Sequence, residues 1–215
     1  MSHKADRGIC HLAIFLALCH SYPNNEKLTL LERSMSVAPA TTKYTLLMRI
    51  LHWLIALLIL GMIGVGWYME GLPDEHPAKY DIYAIHKSIG ITLLGLVVIR
   101  LLVRFFSPIP ELPQALAWWE KLLTKTVHFF LYVLMLLVPI SGYLMSDFSG
   151  FPVEWFGVEV PGVVPDNMES AEDAHAAHEI LPYILLGLVV LHLLGSLKHR
   201  FLDKNKDTDV LRRML

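Results

Sequence analysis

Two histidines in the last fifth of the chain have a spacing that suits paired metal chemistry. His178 and His192 are 14 residues apart. In an α-helix this spacing is about 21 Å along the axis and about 40° short of four full turns, so both side chains lie on nearly one face. Imidazole is a good ligand for iron, copper and zinc. One helix with two such ligands at two depths suits two stacked metal centres, such as two haem irons.

Further histidines could complete such centres by supplying a second imidazole ligand to each iron. A haem iron with two imidazole ligands keeps no open coordination position. That arrangement suits electron transfer, with the protein setting the potential through the ligands and their surroundings. The additional histidines at apolar segments are His52, His86, His128 and His199. Zinc is a competing interpretation of clustered histidines. Glycines near these positions could give a porphyrin room, or could only permit close packing of membrane helices; they are Gly66, Gly90, Gly187 and Gly195.

The elements that must position these histidines are four long apolar segments. Hydrophobic residues make up 54% of the 215-residue chain and charged residues 18%, against about 25% charged in ordinary soluble domains. The segments cover about residues 46–69, 82–104, 126–146 and 178–200. Each can cross a bilayer, and their polarity does not alternate as in barrel strands. The sequence therefore predicts an all-α, four-helix transmembrane bundle.

Lysine and arginine are distributed unevenly between the loops. The loop from 147 to 177 has no Lys or Arg and seven acidic residues, whereas cations cluster before the first segment, between the second and third, and after the fourth. The positive-inside rule then predicts a multi-pass protein of the inner-membrane type with both termini in the cytoplasm.

This orientation groups the histidines by depth. His52 and His192 fall on the inner, cytoplasmic half of the membrane, and His86 and His178 on the outer half. A polar ionisable residue at membrane depth is costly and usually functional, which favours two ligand pairs. His128, expected in the first turn of its helix, and His199 lie nearer the cytoplasmic surface. They are candidates for hydrogen bonding to a quinone or a haem propionate, or are ordinary interfacial residues.

The positions of the cysteines and the nature of the N-terminus further limit the cofactor sites and the domain organisation that the chain can have. Both cysteines, Cys10 and Cys19, lie in the first 20 residues, so the main body holds no Cys-ligated cluster, no C-x-x-C-H haem attachment and no disulfide framework. No basic stripe suggests nucleic-acid binding. We expect residues 1–40 to be a disordered or non-native N-terminal extension, and residues 41–215 to be the four-helix di-haem domain.

Several blocks of sequence together resemble one family. They are Arg49-Ile-Leu-His52-Trp53, His86-Lys87-Ser88-Ile89-Gly90, His128 followed by Pro139, the spacing of His178 and His192, and the C-terminal run from Leu197 to Leu215. Over about residues 40–215 the chain resembles the bacterial cytochrome b561 family of four-helix, di-haem membrane proteins. Ala177 departs from the pattern, since relatives often carry an aromatic residue there.

The resemblance implies two b-type haems, one held by His52 and His192 and the other by His86 and His178. It also implies a quinone-linked activity, with ubiquinone near His199 on the cytoplasmic side. One branch of the family looks like a superoxide oxidase, which passes electrons from periplasmic superoxide to quinone. Lys87, beside His86, is a candidate for attracting the superoxide anion, or a residue snorkelling to the interface.

Three hypotheses follow for the function. In the first, the chain is a quinone-linked oxidoreductase of the superoxide oxidase type. In the second, it is an electron-transfer subunit that docks a periplasmic redox protein on its acidic outer loop. In the third, its histidines serve metal or proton transport without haem.

Overall fold

The computed structural model describes residues 43–215. The expected N-terminal extension, residues 1–40, lies outside this part of the chain. The described part is mostly helical and has four helices that are long and apolar enough to cross a membrane. These are α1, Leu46–Glu70; α2, Lys79–Phe106; α3, Trp118–Phe148; and α4, Met168–Leu197.

The helices extend beyond the apolar segments from which they were predicted. At the start of α3 the Glu120 carboxylate accepts a hydrogen bond of 3.0 Å from the Ala117 N–H, and at the start of α4 the Asn167 side chain accepts one from Ser170. Such caps satisfy the free N–H groups of a first turn, so these helices begin before their membrane-embedded parts. As a consequence, His128 lies in the third turn of α3, not in the first turn as expected.

Apolar side chains hold the helices together and also cover their outer faces. Nine buried residues form one core, contributed by all four helices: Leu51, Ile55, Ile59, Leu93, Val97, Val127, Leu131, Leu134 and Leu185. Large apolar residues point away from this core, among them Leu57, which is 68% exposed, and Phe105, which is 83% exposed. Extensive exposure of this kind is expected where lipid replaces water as the solvent.

A β-hairpin lies between α3 and α4, in a region where the sequence indicated only an acidic loop. Its strands, β1 (Val153–Trp155) and β2 (Val158–Val160), are antiparallel. They are joined by Phe156 and Gly157, whose φ angles of 51° and 85° suit a tight hairpin turn. The hairpin is anchored on α2, since Trp155 Nε1 donates to Thr92 Oγ1 at 3.0 Å and Ser88 Oγ to the Glu154 carbonyl at 3.0 Å. We call this end of the bundle the hairpin side.

The C-terminal segment folds back against the start of α1. After α4 the chain makes a π-helical turn, Lys198–Leu202, and two short 3-10 turns, Lys206–Thr208 and Leu211–Arg213. Trp53 Nε1 donates to the Met214 carbonyl at 3.0 Å, and the Tyr44 N–H to the Arg213 carbonyl at 3.1 Å. Both ends of the described chain therefore meet at one end of the bundle, which we call the terminal side.

Candidate functional site

Four of the histidines singled out in the sequence form two pairs inside the bundle. On the terminal side, the ring centroids of His52 in α1 and His192 in α4 are 6.2 Å apart, with the ring planes at 74°. On the hairpin side, the centroids of His86 in α2 and His178 in α4 are 6.3 Å apart, with the planes at 88°. The structure thus brings together the same partners that the depth argument grouped.

The hairpin-side pair has a well-defined hydrogen-bonding environment around His178. Its Nδ1 lies 2.9 Å from the Val138 carbonyl oxygen and 3.2 Å from Ser141 Oγ. Because a carbonyl can only accept, Nδ1 carries the proton and donates it. This fixes the tautomer and leaves Nε2 with its lone pair, as in metal-ligating histidines generally. The partner ring, His86, has a buried Nδ1 with no hydrogen-bond partner in the described chain.

Glycines give the hairpin-side pair its space. A β-carbon on Gly142 of α3 would lie 2.7 Å from Cε1 of His178, and one on Gly66 of α1 would lie 3.8 Å from Cε1 of His86. Gly142 is therefore required for the close approach of the ring, whereas Gly66 has ordinary contact. Of the glycines considered in the sequence, Gly187 and Gly195 would place their β-carbons in open space, and nothing in their surroundings assigns them to the site.

The terminal-side pair has a cationic neighbour, one of the cations between the second and third apolar segments whose only use in the sequence was to indicate orientation. Arg100 of α2 is only 6% exposed. Its guanidinium donates to the Met48 carbonyl at 2.9 Å and lies 3.3 Å from Nδ1 of His52. The sequence does contain a pattern that could have placed Arg100 near the site. Arg100 follows His86 by 14 residues, the same spacing as between His178 and His192.

His128 joins the terminal-side group directly. Its ring centroid is 5.1 Å from that of His192, with the planes at 61°. It is thus a neighbour of a candidate ligand at the same depth, closer to the site than its expected position near the surface. His199 is 8% exposed and its Nδ1 lies 2.7 Å from Asp203 Oδ2, so only its other ring nitrogen is available for another partner.

Lys87 is partly buried on α2, next to His86. It makes no ion pair with any residue in the described range, 43–215, whereas Lys79 in the same helix is bound to Asp74 at 2.8 Å. The loop after α3 and the start of α4, on the same side of the bundle, carry exposed carboxylates at Glu154, Glu159, Asp166, Glu169, Glu172 and Asp173.

The dimensions of both pairs fit a metal ion shared by two imidazoles. With metal–nitrogen bonds of about 2.0–2.1 Å, two imidazoles on opposite sides of one ion have ring centroids about 6.4 Å apart. The measured separations are 6.2 and 6.3 Å, whereas the 5.1 Å between His128 and His192 is too short. The buried Nδ1 of His86, which has no hydrogen-bond partner in the described chain, also suits a site that takes a bound group. The residues therefore fit bis-histidine haem.

Zinc fits the same residues poorly. Structural zinc sites use four protein ligands and catalytic sites three. Within residues 43–215 no group of three or more His, Cys, Asp or Glu side chains is arranged to hold a metal ion. Two ligands per site, on facing helices, are what an iron already held by a porphyrin requires.

The bundle and its histidine pairs define a multi-pass membrane protein of the haem-binding, electron-transferring class. The model of one family, prokaryotic cytochrome b561, matches residues 43–215. The chain belongs to this family, which implies redox activity with b-type haem.

Individual relatives agree with this assignment. The chain is 35% identical to cytochrome b561 homolog 2 of Escherichia coli K12 over 84% of its length and 95% of that protein. It is 28% identical to the probable superoxide oxidase CybB of Yersinia pestis, covering 80% of this chain and 96% of that protein. It is 25% identical to cytochrome b561 homolog 1 of E. coli K12, with 76% and 92% covered.

Proposed function

We propose that this chain is a di-haem cytochrome that moves electrons across the membrane between a donor on the hairpin side and ubiquinone on the terminal side. The observation that carries the proposal is the presence of two histidine pairs, with centroids 6.2 and 6.3 Å apart, at two depths of one bundle. Their α4 members are 14 residues apart, or about 21 Å along the helix.

Four histidines would act as haem ligands, and neighbouring residues orient these ligands or exclude water. His52 and His192 would hold one haem iron, and His86 and His178 the other. When bound, haem would supply one-electron chemistry, and two histidines for each iron suit electron transfer rather than the binding of small molecules. Val138 and Ser141 hold His178 in one tautomer, Gly142 admits its ring, and the apolar core excludes water from the path between the pairs.

The distribution of cations supports an orientation with the terminal side in the cytoplasm. Lys and Arg are concentrated on the terminal side, before α1, between α2 and α3 and after α4, and the segment from 147 to 177 has none. The positive-inside rule then places the hairpin outside, in the periplasm, and both termini inside. A reporter fused after Leu215 tests this, since a cytoplasmic end makes alkaline phosphatase inactive and a green fluorescent protein bright.

A quinone site on the terminal side is supported by His199 and its surroundings. His199 is held by Asp203, and the neighbouring Lys198 binds Glu120 at 2.5 Å. One nitrogen of the ring is thus fixed and the other remains available for a quinone oxygen. Quinone reduction consumes two electrons and two protons, so the reaction requires proton access, which this end of the bundle has at the membrane surface.

The experiment that tests the core proposal is a reduced-minus-oxidised absorption spectrum of the purified protein with a count of haem per chain. We expect two b-type haems, reoxidised by a water-soluble ubiquinone analogue. A folded protein that binds no haem when haem is supplied during expression would overturn the proposal. Such a result would favour metal or proton transport as the function.

Superoxide is one candidate for the donor, favoured by the name of the relative from Yersinia pestis and by Lys87 beside His86. In the balanced reaction, two superoxide anions lose one electron each to give two O₂, and one quinone gains two electrons and two protons to give the quinol. Haem reduction within the mixing time of superoxide, followed by reoxidation by quinone, is the expected result. Inertness towards superoxide would remove this candidate.

A redox protein is the other candidate for the donor. The hairpin side presents exposed acids, including Glu154 and Glu159 on the hairpin itself, next to the exposed Trp155, Phe156 and Val158. Such a surface suits a partner with a basic patch. A salt-sensitive complex between the full chain and a basic periplasmic redox protein would favour this donor over superoxide.

A further inference from the structure

The two histidine pairs lie in layers of very different charge. Each helix contributes two residues, 14 positions apart, one to each layer: His52 and Gly66, His86 and Arg100, His128 and Gly142, His178 and His192. The terminal-side layer therefore contains three imidazoles and one guanidinium. The hairpin-side layer contains two imidazoles and two glycines.

Arg100 brings an uncompensated charge into the terminal-side layer. A guanidinium is always protonated in proteins, and a buried charge is costly unless it is paired. In the part of the chain that the structure describes, Arg100 makes no ion pair with a carboxylate; its contacts are the Met48 carbonyl and the ring of His52. A positive charge beside an iron favours the reduced, less positive state of that iron.

The same ring atom faces opposite charge in the two pairs. Nδ1 of His52 faces the guanidinium of Arg100 at 3.3 Å, and Nδ1 of His178 faces the carbonyl oxygen of Val138 at 2.9 Å. Donation from an imidazole to a carbonyl raises the basicity of the ligand, which favours the oxidised state of the iron. Hydrogen bonds and local charge are among the means by which proteins set haem potentials.

We propose that Arg100 is a positioning residue that raises the reduction potential of the terminal-side haem above that of the hairpin-side haem, which gives electron transfer a preferred direction. This inference rests on the proposed function. The transfer moves one electron, oxidising the group on the hairpin side and reducing the one on the terminal side, with no bond made or broken. Electrons therefore collect next to the quinone site.

The test is a redox titration of the full-length haem-loaded protein, followed by its absorption spectrum. The variant H86A is expected to keep only the terminal-side haem and H192A only the hairpin-side haem, so each potential can be assigned. Arg100→Gln removes the charge, Arg100→Lys keeps it, and Lys125→Gln removes an exposed cation on the same side as a control. The exposed charge is screened by water and salt.

We expect two separate midpoint potentials in the unmodified chain, the higher of which remains in H86A. Arg100→Gln should lower the higher potential and leave the other in place, Arg100→Lys should preserve most of the separation, and Lys125→Gln should change neither. Should Arg100→Gln fail to fold, the order of the potentials in H86A and H192A decides by itself.

The inference is overturned if the higher potential belongs to the hairpin-side haem, or if Arg100→Gln shifts both potentials equally or neither. In those cases the protein still binds two haems, so the proposed function survives. A chain without haem overturns both, which keeps the two failures distinguishable.

Discussion

Gly142 and His178 lie so close together that a β-carbon at position 142 would come within 2.7 Å of Cε1 and 3.0 Å of Nδ1 of the His178 ring. Carbon atoms pack best at about 3.5–4.0 Å, so no side chain larger than hydrogen fits there. The same helix, α3, also holds the ring through the Val138 carbonyl and Ser141, both of which contact its Nδ1. Position 142 therefore controls where a candidate haem ligand points.

Gly142→Ala should displace the His178 ring and break its hydrogen bond to Val138. We expect the haem content to fall from two per chain towards one, because only the hairpin-side pair is disturbed. The matched control is Gly187→Ala in α4, where a β-carbon meets nothing within 4 Å. The two variants are compared by haem stoichiometry at equal protein concentration. Equal haem content in both would show that the approach of Gly142 to His178 does not matter for binding.

The ligand assignment makes a separate prediction. His86→Ala or His178→Ala should each remove one haem, and His52→Ala or His192→Ala the other, because an iron with one protein ligand is held much less tightly. His175→Ala is the control, since this residue is exposed on α4 only three positions before His178. Haem counts and the split of the reduced α-band distinguish the outcomes. Retention of two haems in any of the four ligand variants would refute the assignment of that residue.

The fold could largely be predicted from the sequence because membrane spanning depends on composition and length, which are local properties. Four apolar segments predicted four helices, and four are present among residues 43–215. The hairpin could not be predicted, since its strands are three residues each and are anchored by Ser88 and Thr92, more than 60 positions away. The starts of α3 and α4 were also missed, because a capped first turn contains charged residues that interrupt an apolar run.

The candidate site, like the fold, could be predicted from the sequence only in part. The pairing of His52 with His192 and of His86 with His178 was accessible from the sequence, since helix direction alone sets the depth of each residue. The roles of Arg100 and Gly142 were not, although both obey the 14-residue spacing. An arginine near a helix end usually marks the cytoplasmic interface, and a glycine usually marks close packing. Only the rotation of each helix about its axis shows that these two face the histidines.

Lys87 should matter if superoxide is the donor. Lys87 directly follows His86 in α2 and makes no ion pair within residues 43–215, so Lys87→Gln should slow haem reduction by superoxide by roughly tenfold at low salt. The difference should shrink as ionic strength rises, because salt screens the attraction. Lys79→Gln is the control, since Asp74 already neutralises Lys79 at 2.8 Å. An identical rate in the Lys87 variant, measured by stopped-flow absorbance, would show that the anion is not steered by this residue.

The C-terminal segment should loosen in strong acid. The pKa of Asp203 is lowered from its usual 3.8 to about 2, chiefly by the hydrogen bond from His199, with further contributions from Thr208 and Lys198. A carboxyl with a lowered pKa stabilises the folded state fully above its unfolded value, near pH 4, and loses that contribution as the pH falls through about 2. The docking of the segment should therefore weaken between these two values.

Pepsin cleavage of the C-terminal segment measures this effect. At pH 5, Asp203→Asn should be cut several-fold faster than the unmodified chain, and the ratio should fall towards one as the pH drops through about 2, where Asp203 takes up its proton in the folded state as well. Asp207→Asn, an exposed carboxyl in the same segment, should be cut at the unmodified rate throughout. A ratio that does not change with pH would show that the ionised carboxylate of Asp203 does not stabilise the docking of the C-terminal segment.

His199 should act on quinone chemistry without affecting haem binding. It lies in the π-helical turn that directly follows α4, seven residues after His192, and its Nδ1 is fixed by Asp203 at 2.7 Å. His199→Ala should therefore keep two haems and slow their reoxidation by a ubiquinone analogue by about tenfold or more, the cost of one lost hydrogen bond to a bound ligand. Because the same change also frees Asp203, Asp203→Asn is needed beside it. If His199 contacts the quinone, its removal slows reoxidation more than Asp203→Asn does; if it only holds the C-terminal segment in place, the two variants slow reoxidation equally.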